Sequence, residues 1–184
     1  MNRRVVVTGT GVITPVGNDV QTYWKNILEG VCGIGVINSI PVDDLPVKIA
    51  GEVKDFNPAD YEIEAPFARK QDKFTVYAVA AAWQAVKESG ISSAEGGNID
   101  PLRFGVYVGS GIGGFTTQMR ETEKILNEGA KWVSPLFIPT MISNIAAGNI
   151  AIRNNACGPC LPVVTACATS THAIGEAFRA IKHG

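Results

Sequence analysis

This chain contains few histidines and few cysteines, and neither sign of charge is in clear excess. Its 184 residues contain two histidines and four cysteines, and 16 basic against 17 acidic residues leave a net charge of -1. A balance this close to zero gives no indication of a nucleic-acid partner or a membrane partner, although a local basic patch is compatible with it. Four cysteines in a chain of this length also exclude a disulfide-dense scaffold.

Long apolar runs are missing as well. Glycine, proline or threonine interrupts each apolar stretch well before the ~18 residues that a membrane span needs. The N-terminus starts with basic residues, but only Val5, Val6 and Val7 follow as an apolar run, so we expect no export signal. We therefore predict a cytoplasmic protein whose cysteines are reduced.

The chain does contain an alternation of apolar strands and amphipathic helices. The predicted strands are residues 5–7, 48–53, 104–108 and 161–165, with a loop over residues 30–47. The predicted helices are about residues 19–29, 72–89, 116–127, 142–154 and 168–183. Because strands alternate with helices, the fold class is α/β, a layered and largely parallel sheet with helices on both faces. A hydrophobic content of 46% fits a sheet buried on both faces.

Two of the predicted helices carry a distinct packing signal. The helix over residues 72–89 is rich in alanine, which predicts a close approach to a neighbouring element. The last helix carries Ile174, Ala177, Phe178 and Ile181 at helical spacing, which predicts a buried stripe.

The sequence GSGIGG, residues 109–114, satisfies the G-x-G-x-x-G pattern of dinucleotide-binding proteins. Such a site also needs a second strand that ends in an acidic residue. Glu128 has about the right spacing, but it follows a predicted helix and no strand leads into it. We therefore favour a tight turn with close backbone packing over a nucleotide site.

The sequence CGPC, residues 157–160, resembles a redox dithiol. A redox dithiol usually opens a helix directly after a strand, where the helix end favours the thiolate. Here the order is reversed, because a helix precedes the motif and a strand follows it. We therefore favour two reduced cysteines around a Gly-Pro turn over a dithiol oxidoreductase.

Cys167 lies where a predicted strand ends and a predicted helix begins. Unpaired N–H groups of the first helical turn and the helix dipole would both favour the thiolate, which is the nucleophilic form. The same N–H groups could hold a developing oxyanion. The residues on either side, Ala166 and Ala168, are small enough for a substrate to approach. The alternative is a buried structural cysteine, and the residues alone leave the two interpretations about equal.

A cysteine nucleophile usually needs a neighbouring base or cation. Five residues at 100° each place His172 about 140° away from Cys167 around the helix. His172 therefore belongs to the polar face with Glu176 and Arg179, and His183 lies near the far end of the helix. No local dyad is predicted, so a base must come from elsewhere.

Five stretches together carry a resemblance to a known family. They are RVVVTGTGVITPVG (4–17), RKQDKFTVYAVAAA (69–82), FGVYVGSGIGG (104–114), SPLFIPTMISN (134–144) and VVTACATSTHAIGEA (163–177). With these stretches the chain resembles the N-terminal half of a β-ketoacyl-[acyl-carrier-protein] synthase, most closely the synthase II branch.

The resemblance implies a thiolase-like fold made of two similar halves, of which residues 1–184 would be the N-terminal domain. It implies acyl transfer from acyl carrier protein to Cys167, followed by decarboxylative condensation with malonyl carrier protein, and it implies no cofactor and no metal. In this family two histidines and a lysine of the C-terminal half handle the decarboxylation. We therefore expect these 184 residues to be inactive alone and to leave an apolar face uncovered.

The resemblance also implies roles for other residues. Ile112 and Gly111 in the glycine loop, together with Phe137, would bind the acyl chain, and the backbone N–H of Cys167 would form part of the oxyanion hole. Arg69, Lys70 and Lys131 would face the acidic carrier protein, although ordinary solvated charge explains each of them as well. The strand at residues 161–165 would pair across the axis of a homodimer.

Two other functions remain open from the sequence. A polyketide-type ketosynthase shares the nucleophile region, and its pocket depends largely on residues outside this chain. A non-catalytic interaction module is the alternative from a different class.

Overall fold

The computed structural model describes residues 3–184, which contain seven α-helices and one small sheet. The helices are α1 Val20–Leu28, α2 Ala65–Lys70, α3 Lys73–Ser89, α4 Phe115–Asn127, α5 Phe137–Met141, α6 Ile145–Arg153 and α7 Thr169–His183. Short 3-10 turns lie at Pro58–Tyr61, Pro101–Arg103, Ala130–Trp132 and Ala166–Ala168. None of the helices in this described range is long and apolar enough to cross a membrane.

The helix boundaries follow local signals in the sequence. Asp19 caps α1 by accepting a hydrogen bond from the Thr22 N–H at 2.8 Å, as its side chain predicts. Gly90 ends α3 in the left-handed region, with φ of 68°, which glycine adopts without steric cost. The five long predicted helices are thus confirmed to within about three residues at each end, whereas the short helices α2 and α5 were not predicted.

The small sheet consists of β1 (Ile34–Val36) and β2 (Ile49–Gly51). These strands are antiparallel, with Ile34 opposite Gly51 and Val36 opposite Ile49. β2 confirms the core of the predicted strand at residues 48–53. The prediction of loop throughout residues 30–47 is wrong at β1, because pairing with a distant segment makes these three residues a strand.

The core lies mainly between α3 and α6. Val79 and Ala80 of α3 are buried together with Ala147 and Ile150 of α6, and small side chains allow the two helices to approach closely. Burial of a valine such as Val79 contributes about 1.5–3 kcal/mol. On another part of α3, a Cβ atom on Gly9 or Gly11 would overlap with backbone carbonyls of the helix. The close packing expected for this alanine-rich helix is confirmed.

The predicted parallel pairing is present at one position. Val106 forms a parallel bridge with Cys160, because its N–H donates to the Pro159 carbonyl at 2.8 Å and its carbonyl accepts from Leu161 at 3.0 Å. Residues 5–7, 104–108 and 161–165 do not form regular strands in the described chain, apart from the single bridge at Val106. The prediction of these three strands is therefore not met, since a strand requires a ladder of hydrogen bonds with a neighbouring segment.

One face of α7 is apolar and exposed. Ile174, Phe178 and Ile181 are 72%, 44% and 53% exposed, so the prediction of a buried stripe is wrong for these residues. α7 instead buries Thr169 and Ala173, which lie on a different face. The reason is that no segment among the described residues covers the apolar stripe, which agrees with the expectation of an uncovered apolar face.

Candidate active site

Cys167 lies at the centre of a sharp turn that opens the last helix. The 3-10 turn Ala166–Ala168 continues without interruption into α7, and the Ala168 N–H donates to the Thr165 carbonyl at 3.0 Å. Ala166 has φ of 49°, in the left-handed region that non-glycine residues rarely adopt. Such strain costs about 1–3 kcal/mol and is concentrated at functional sites. The strained residue directly precedes the predicted nucleophile.

Thr169 fixes the two ends of this turn relative to each other. Its side chain is buried, and its hydroxyl oxygen accepts a hydrogen bond from the Thr165 N–H at 2.9 Å. The bond spans the three residues between them, so it closes the turn that carries Cys167. Cys167 itself is exposed and unpaired, which favours the nucleophile interpretation over a buried structural cysteine.

His172 does not pair with the thiol. Its Nδ1 atom lies 2.8 Å from the Thr165 hydroxyl oxygen, and the ring is exposed on the polar face of α7. Farther along this face, Arg179 and Glu176 form an ion pair at 2.6 Å. The position of His172 on the polar face agrees with the helix geometry from which no local dyad was expected. His183 ends α7, 16 residues after Cys167.

The glycine loop, residues 109–114, packs against the nucleophile turn. A Cβ atom on Gly111 would lie 3.7 Å from the Ala166 Cα, which is ordinary van der Waals contact. A Cβ atom on Gly109 would overlap with the carbonyl oxygen of Val163, so only glycine fits there. Ile112 projects from the loop and is 76% exposed. The structure thus brings Gly111 beside the residue that precedes Cys167.

The other end of the glycine loop is attached to α5. The Gly114 N–H donates to the Met141 carbonyl at 2.7 Å, and Gly113 has φ of 84° where a side chain would also collide with Met141. Phe137 is the first residue of α5, one turn before Met141, and is half-buried. The predicted acyl-chain residues therefore lie on two segments that contact each other. The GSGIGG motif is the tightly packed turn that we predicted.

The three predicted docking cations lie on two elements. Arg69 and Lys70 are the last two residues of α2, and Lys131 lies in the turn after α4, with its Nζ 5.4 Å from the Trp132 ring centroid. All three side chains are exposed, and none forms an ion pair within residues 3–184. Their positive charge is therefore available at the surface.

Asp72 has a structural role that the sequence analysis did not identify. It precedes α3, but its buried carboxylate accepts hydrogen bonds from the N–H and the hydroxyl of Thr117 in α4, at 2.9 and 2.8 Å. Its position in the sequence predicted only that it is the first residue of the helix over residues 72–89. The contact with α4 connects residues 45 positions apart, so no local pattern signals it.

Glu121 was likewise missed, because a charged residue within a charged helix usually faces solvent. Its side chain is only 1% exposed. The Ser134 N–H, which donates to it at 2.8 Å, lowers the pKa of Glu121 to about 2, with further contributions from Lys124 and Arg120. The bond holds the segment that leads into α5 against α4, three residues before Phe137.

The CGPC motif occupies a turn, as its position after a helix predicted. α6 precedes it, the Cys157 N–H donates to the Pro101 carbonyl at 2.9 Å, and Cys160 forms the bridge to Val106. Both thiols are exposed and unpaired. Among residues 3–184, no group of three or more histidine, cysteine or acidic side chains is arranged to hold a metal ion.

Comparison with known proteins identifies the relatives of this chain. Residues 2–184 match a family model described as the N-terminal domain of beta-ketoacyl synthase. The 3-oxoacyl-[acyl-carrier-protein] synthase 2 of Staphylococcus aureus (strain COL) is 44% identical over 183 residues, which cover 100% of this chain and 43% of that protein. The synthase 2 of Vibrio harveyi is 41% identical over 182 residues, or 99% of this chain and 43% of that protein. The chain therefore spans less than half the length of these curated relatives.

Solved structures give the same result for the fold. AntDE:AntF, a type II PKS acyl-carrier protein in complex with its ketosynthase, matches with a TM-score of 0.82 and 28% identity, over 100% of this chain and 49% of that chain. The ishigamide ketosynthase/chain length factor matches with a TM-score of 0.88 and 26% identity, over 100% of this chain and 45% of that chain. The predicted thiolase-like fold is confirmed by these ketosynthases. Since the family model covers almost every residue, the chain belongs to the β-ketoacyl synthase family.

Proposed function

We propose that this chain is the nucleophile-bearing N-terminal domain, residues 1–184, of a 3-oxoacyl-[acyl-carrier-protein] synthase that elongates fatty acids. The observation that carries the proposal is the placement of Cys167, exposed on a strained turn at the start of α7. The 44% identity to a synthase 2 over the whole chain supports the same reaction.

The proposed reaction has two stages. In the first, the Cys167 thiolate attacks the thioester carbonyl of an acyl carrier protein, and the carrier thiolate leaves. N–H groups at the start of α7, including that of Cys167, are suited to stabilise the oxyanion that forms. In the second stage, malonyl carrier protein loses carbon dioxide, its carbanion attacks the acyl carbonyl, and the Cys167 thiolate leaves. A carbon–carbon bond forms and the thioester to the enzyme breaks, without a cofactor.

We place the decarboxylating histidines of this reaction outside these 184 residues. His172 already lies 2.8 Å from Thr165, and His183 belongs to the other end of α7. The relatives are more than twice as long as this chain, which leaves ample sequence for the missing groups. The 184 residues alone are therefore proposed to acylate poorly and not to condense.

The acyl chain is proposed to lie against Gly111, Ile112 and Phe137. The first two belong to the loop that contacts the nucleophile turn, and the third begins the helix to which that loop is bonded. Ile112 is exposed and apolar, which suits a side chain that covers a hydrocarbon substrate.

The proposed partner is an acidic acyl carrier protein, recognised by Arg69, Lys70 and Lys131. Their exposed charges are suited to steer such a partner, and a related ketosynthase has been solved with its carrier protein. The proposed homodimer would form through residues 161–165, where Leu161 and Val164 are 55% and 50% exposed. A cytoplasmic location remains a prediction, with which four unpaired thiols agree.

Mass spectrometry of acylation tests the proposal directly. The synthase that contains this chain would be incubated with an acyl carrier-protein thioester, digested and mapped for the added acyl mass. We expect the mass on the peptide of Cys167 and not on the peptide of Cys32, which is also exposed and unpaired. Acylation at Cys32 to the same extent, or no acylation at Cys167, would refute the assignment.

A polyketide-type ketosynthase is the second candidate, favoured by the two solved structures at 28% and 26% identity. The 44% identity to a fatty-acid-type synthase 2 makes it the weaker one. The products distinguish them, because a fatty-acid synthase releases each 3-oxoacyl product for reduction, whereas a polyketide synthase condenses again without reduction.

A further inference from the structure

Asp72 connects two helices near the candidate active site. Its Oδ2 atom accepts both the backbone N–H and the hydroxyl of Thr117, at 2.9 and 2.8 Å, and both side chains are buried. Thr117 is the third residue of α4, so the carboxylate satisfies one of the free N–H groups at that helix start and lies at the positive end of the helix dipole. We call these two bonds the Asp72–Thr117 clamp.

The clamp also fixes the end of the glycine loop. Gly114 directly precedes α4, and a Cβ atom on it would lie only 3.1 Å from Asp72 Oδ2 and 2.9 Å from Met141 Cα. The backbone there is thus enclosed between the carboxylate and α5. Three residues earlier, Gly111 lies beside Ala166, because a Cβ atom on Gly111 would be 3.7 Å from the Ala166 Cα. A short stretch of backbone therefore runs from the clamp to the nucleophile turn.

The clamp adjoins the proposed docking cations as well. Arg69 and Lys70 end α2, and Asp72 follows Lys70 after a single residue, Gln71. A connection of one residue absorbs little displacement, so a movement of the α2 end reaches Asp72. The same movement then reaches the start of α4 through the two hydrogen bonds to Thr117.

We propose that Asp72 is a positioning residue that transmits the position of α2 to the glycine loop, so that carrier-protein docking changes access to Cys167. This inference rests on the function proposed above. Docking at Arg69 and Lys70 shifts α2, the clamp shifts the start of α4, and the loop moves relative to Ala166. Access to the thiol is thereby linked to the presence of the partner that delivers the substrate.

Alkylation with a bulky maleimide tests the clamp in the synthase that contains this chain. Peptide mapping gives the labelling rate of Cys167 relative to Cys32, which is exposed and unpaired in a different part of the sequence. Thr117→Val keeps the side-chain volume but removes one bond of the clamp. We expect the ratio to rise about fivefold, the change that corresponds to the loss of one helix cap.

Two further variants separate positioning from general destabilisation. Thr116→Val changes an exposed neighbour on the same helix and should leave the ratio unchanged, and Thr117→Ser keeps the hydroxyl and should restore the native ratio. An unchanged or lower ratio in Thr117→Val would overturn the proposal. An equal increase at both cysteines would also overturn it, because it would indicate global loosening.

A second experiment adds acyl carrier protein without an acyl group. The native ratio should rise about fivefold, and the rise should be absent in Thr117→Val and in the double variant Arg69→Glu/Lys70→Glu. If the carrier protein binds the native synthase but leaves the labelling ratio unchanged, the proposal that Asp72 transmits docking to the glycine loop is overturned. Failure of the proposed function would be seen separately, as absent acylation of Cys167, which neither labelling experiment measures.

Discussion

Replacement of Gly109 by alanine is the perturbation for which the structure makes the sharpest prediction. A Cβ atom at this position would overlap with the Val163 carbonyl oxygen and would lie 2.5 Å from Thr169 Cγ2. Thr169 closes the turn that carries Cys167 through its bond to Thr165, so it cannot move without opening that turn. Relief of the overlap therefore displaces either the glycine loop or the nucleophile turn.

The magnitude follows from the contacts. Real Cβ atoms keep more than 3 Å from such neighbours, so one of the two segments must shift by an amount on the order of 1 Å. Overpacking of this kind costs about 1–3 kcal/mol of the free energy of unfolding. A displacement of about 1 Å at a reacting group lowers the rate by on the order of 100-fold. Urea unfolding measures the first effect, and the rate of Cys167 acylation by an acyl carrier protein measures the second.

Gly111→Ala is the matched control in the same loop. Its Cβ atom would make ordinary contacts of 3.7 Å with Ala166, so the free energy of unfolding should stay near the native value. The reasoning is refuted if Gly109→Ala acylates as fast as the native synthase. It is also refuted if the two substitutions lower the free energy of unfolding equally, because a Cβ atom overlaps with backbone at Gly109 and not at Gly111.

Three further predictions concern other parts of the chain. Gly175→Ala should raise the free energy of unfolding by about 0.5–1 kcal/mol in urea titration, because Gly175 lies within α7 and a Cβ atom there would meet nothing within 4 Å. The pKa of Glu121 lies below its ordinary value of 4.5, so its stabilising effect is complete above about pH 4.5 and is lost towards pH 2. Glu121→Gln should therefore be less stable than the native chain in urea at pH 6, and the difference should shrink at pH 3; a constant difference would contradict this. The 184-residue chain alone should sediment as dimers or larger species at tens of micromolar, since the stripe of Ile174, Phe178 and Ile181 is exposed, and a sharp monomer peak would contradict this.

Elements that depend on local signals could be predicted from the sequence. Asp19 and Gly90 lie at the ends of α1 and α3 because capping involves residues only a few positions apart. β1 could not be predicted, because its three residues form a strand only by pairing with β2. The expected burial of Phe178 failed for a related reason, since burial depends on which segment covers the helix and not on periodicity.

The residues of the candidate site also divide into those that a local sequence pattern indicates and those that depend on distant segments. Cys167 was identified because a change from apolar run to helix marks a corner in the chain, and the structure places it there. The left-handed backbone of Ala166 has no signal in the sequence, since alanine does not indicate a positive φ. Asp72 and Glu121 were missed because their partners, Thr117 and Ser134, lie on other segments of the fold.

The central claim is that the sulfur of Cys167 attacks the acyl thioester. The most direct measurement compares condensation of acyl and malonyl carrier protein by the native synthase, by Cys167→Ser and by Cys160→Ser, whose thiol is also exposed and unpaired. The account predicts that Cys167→Ser lowers kcat by on the order of 10⁴-fold or more, while Cys160→Ser leaves it unchanged. Condensation by Cys167→Ser at the native rate would contradict the account.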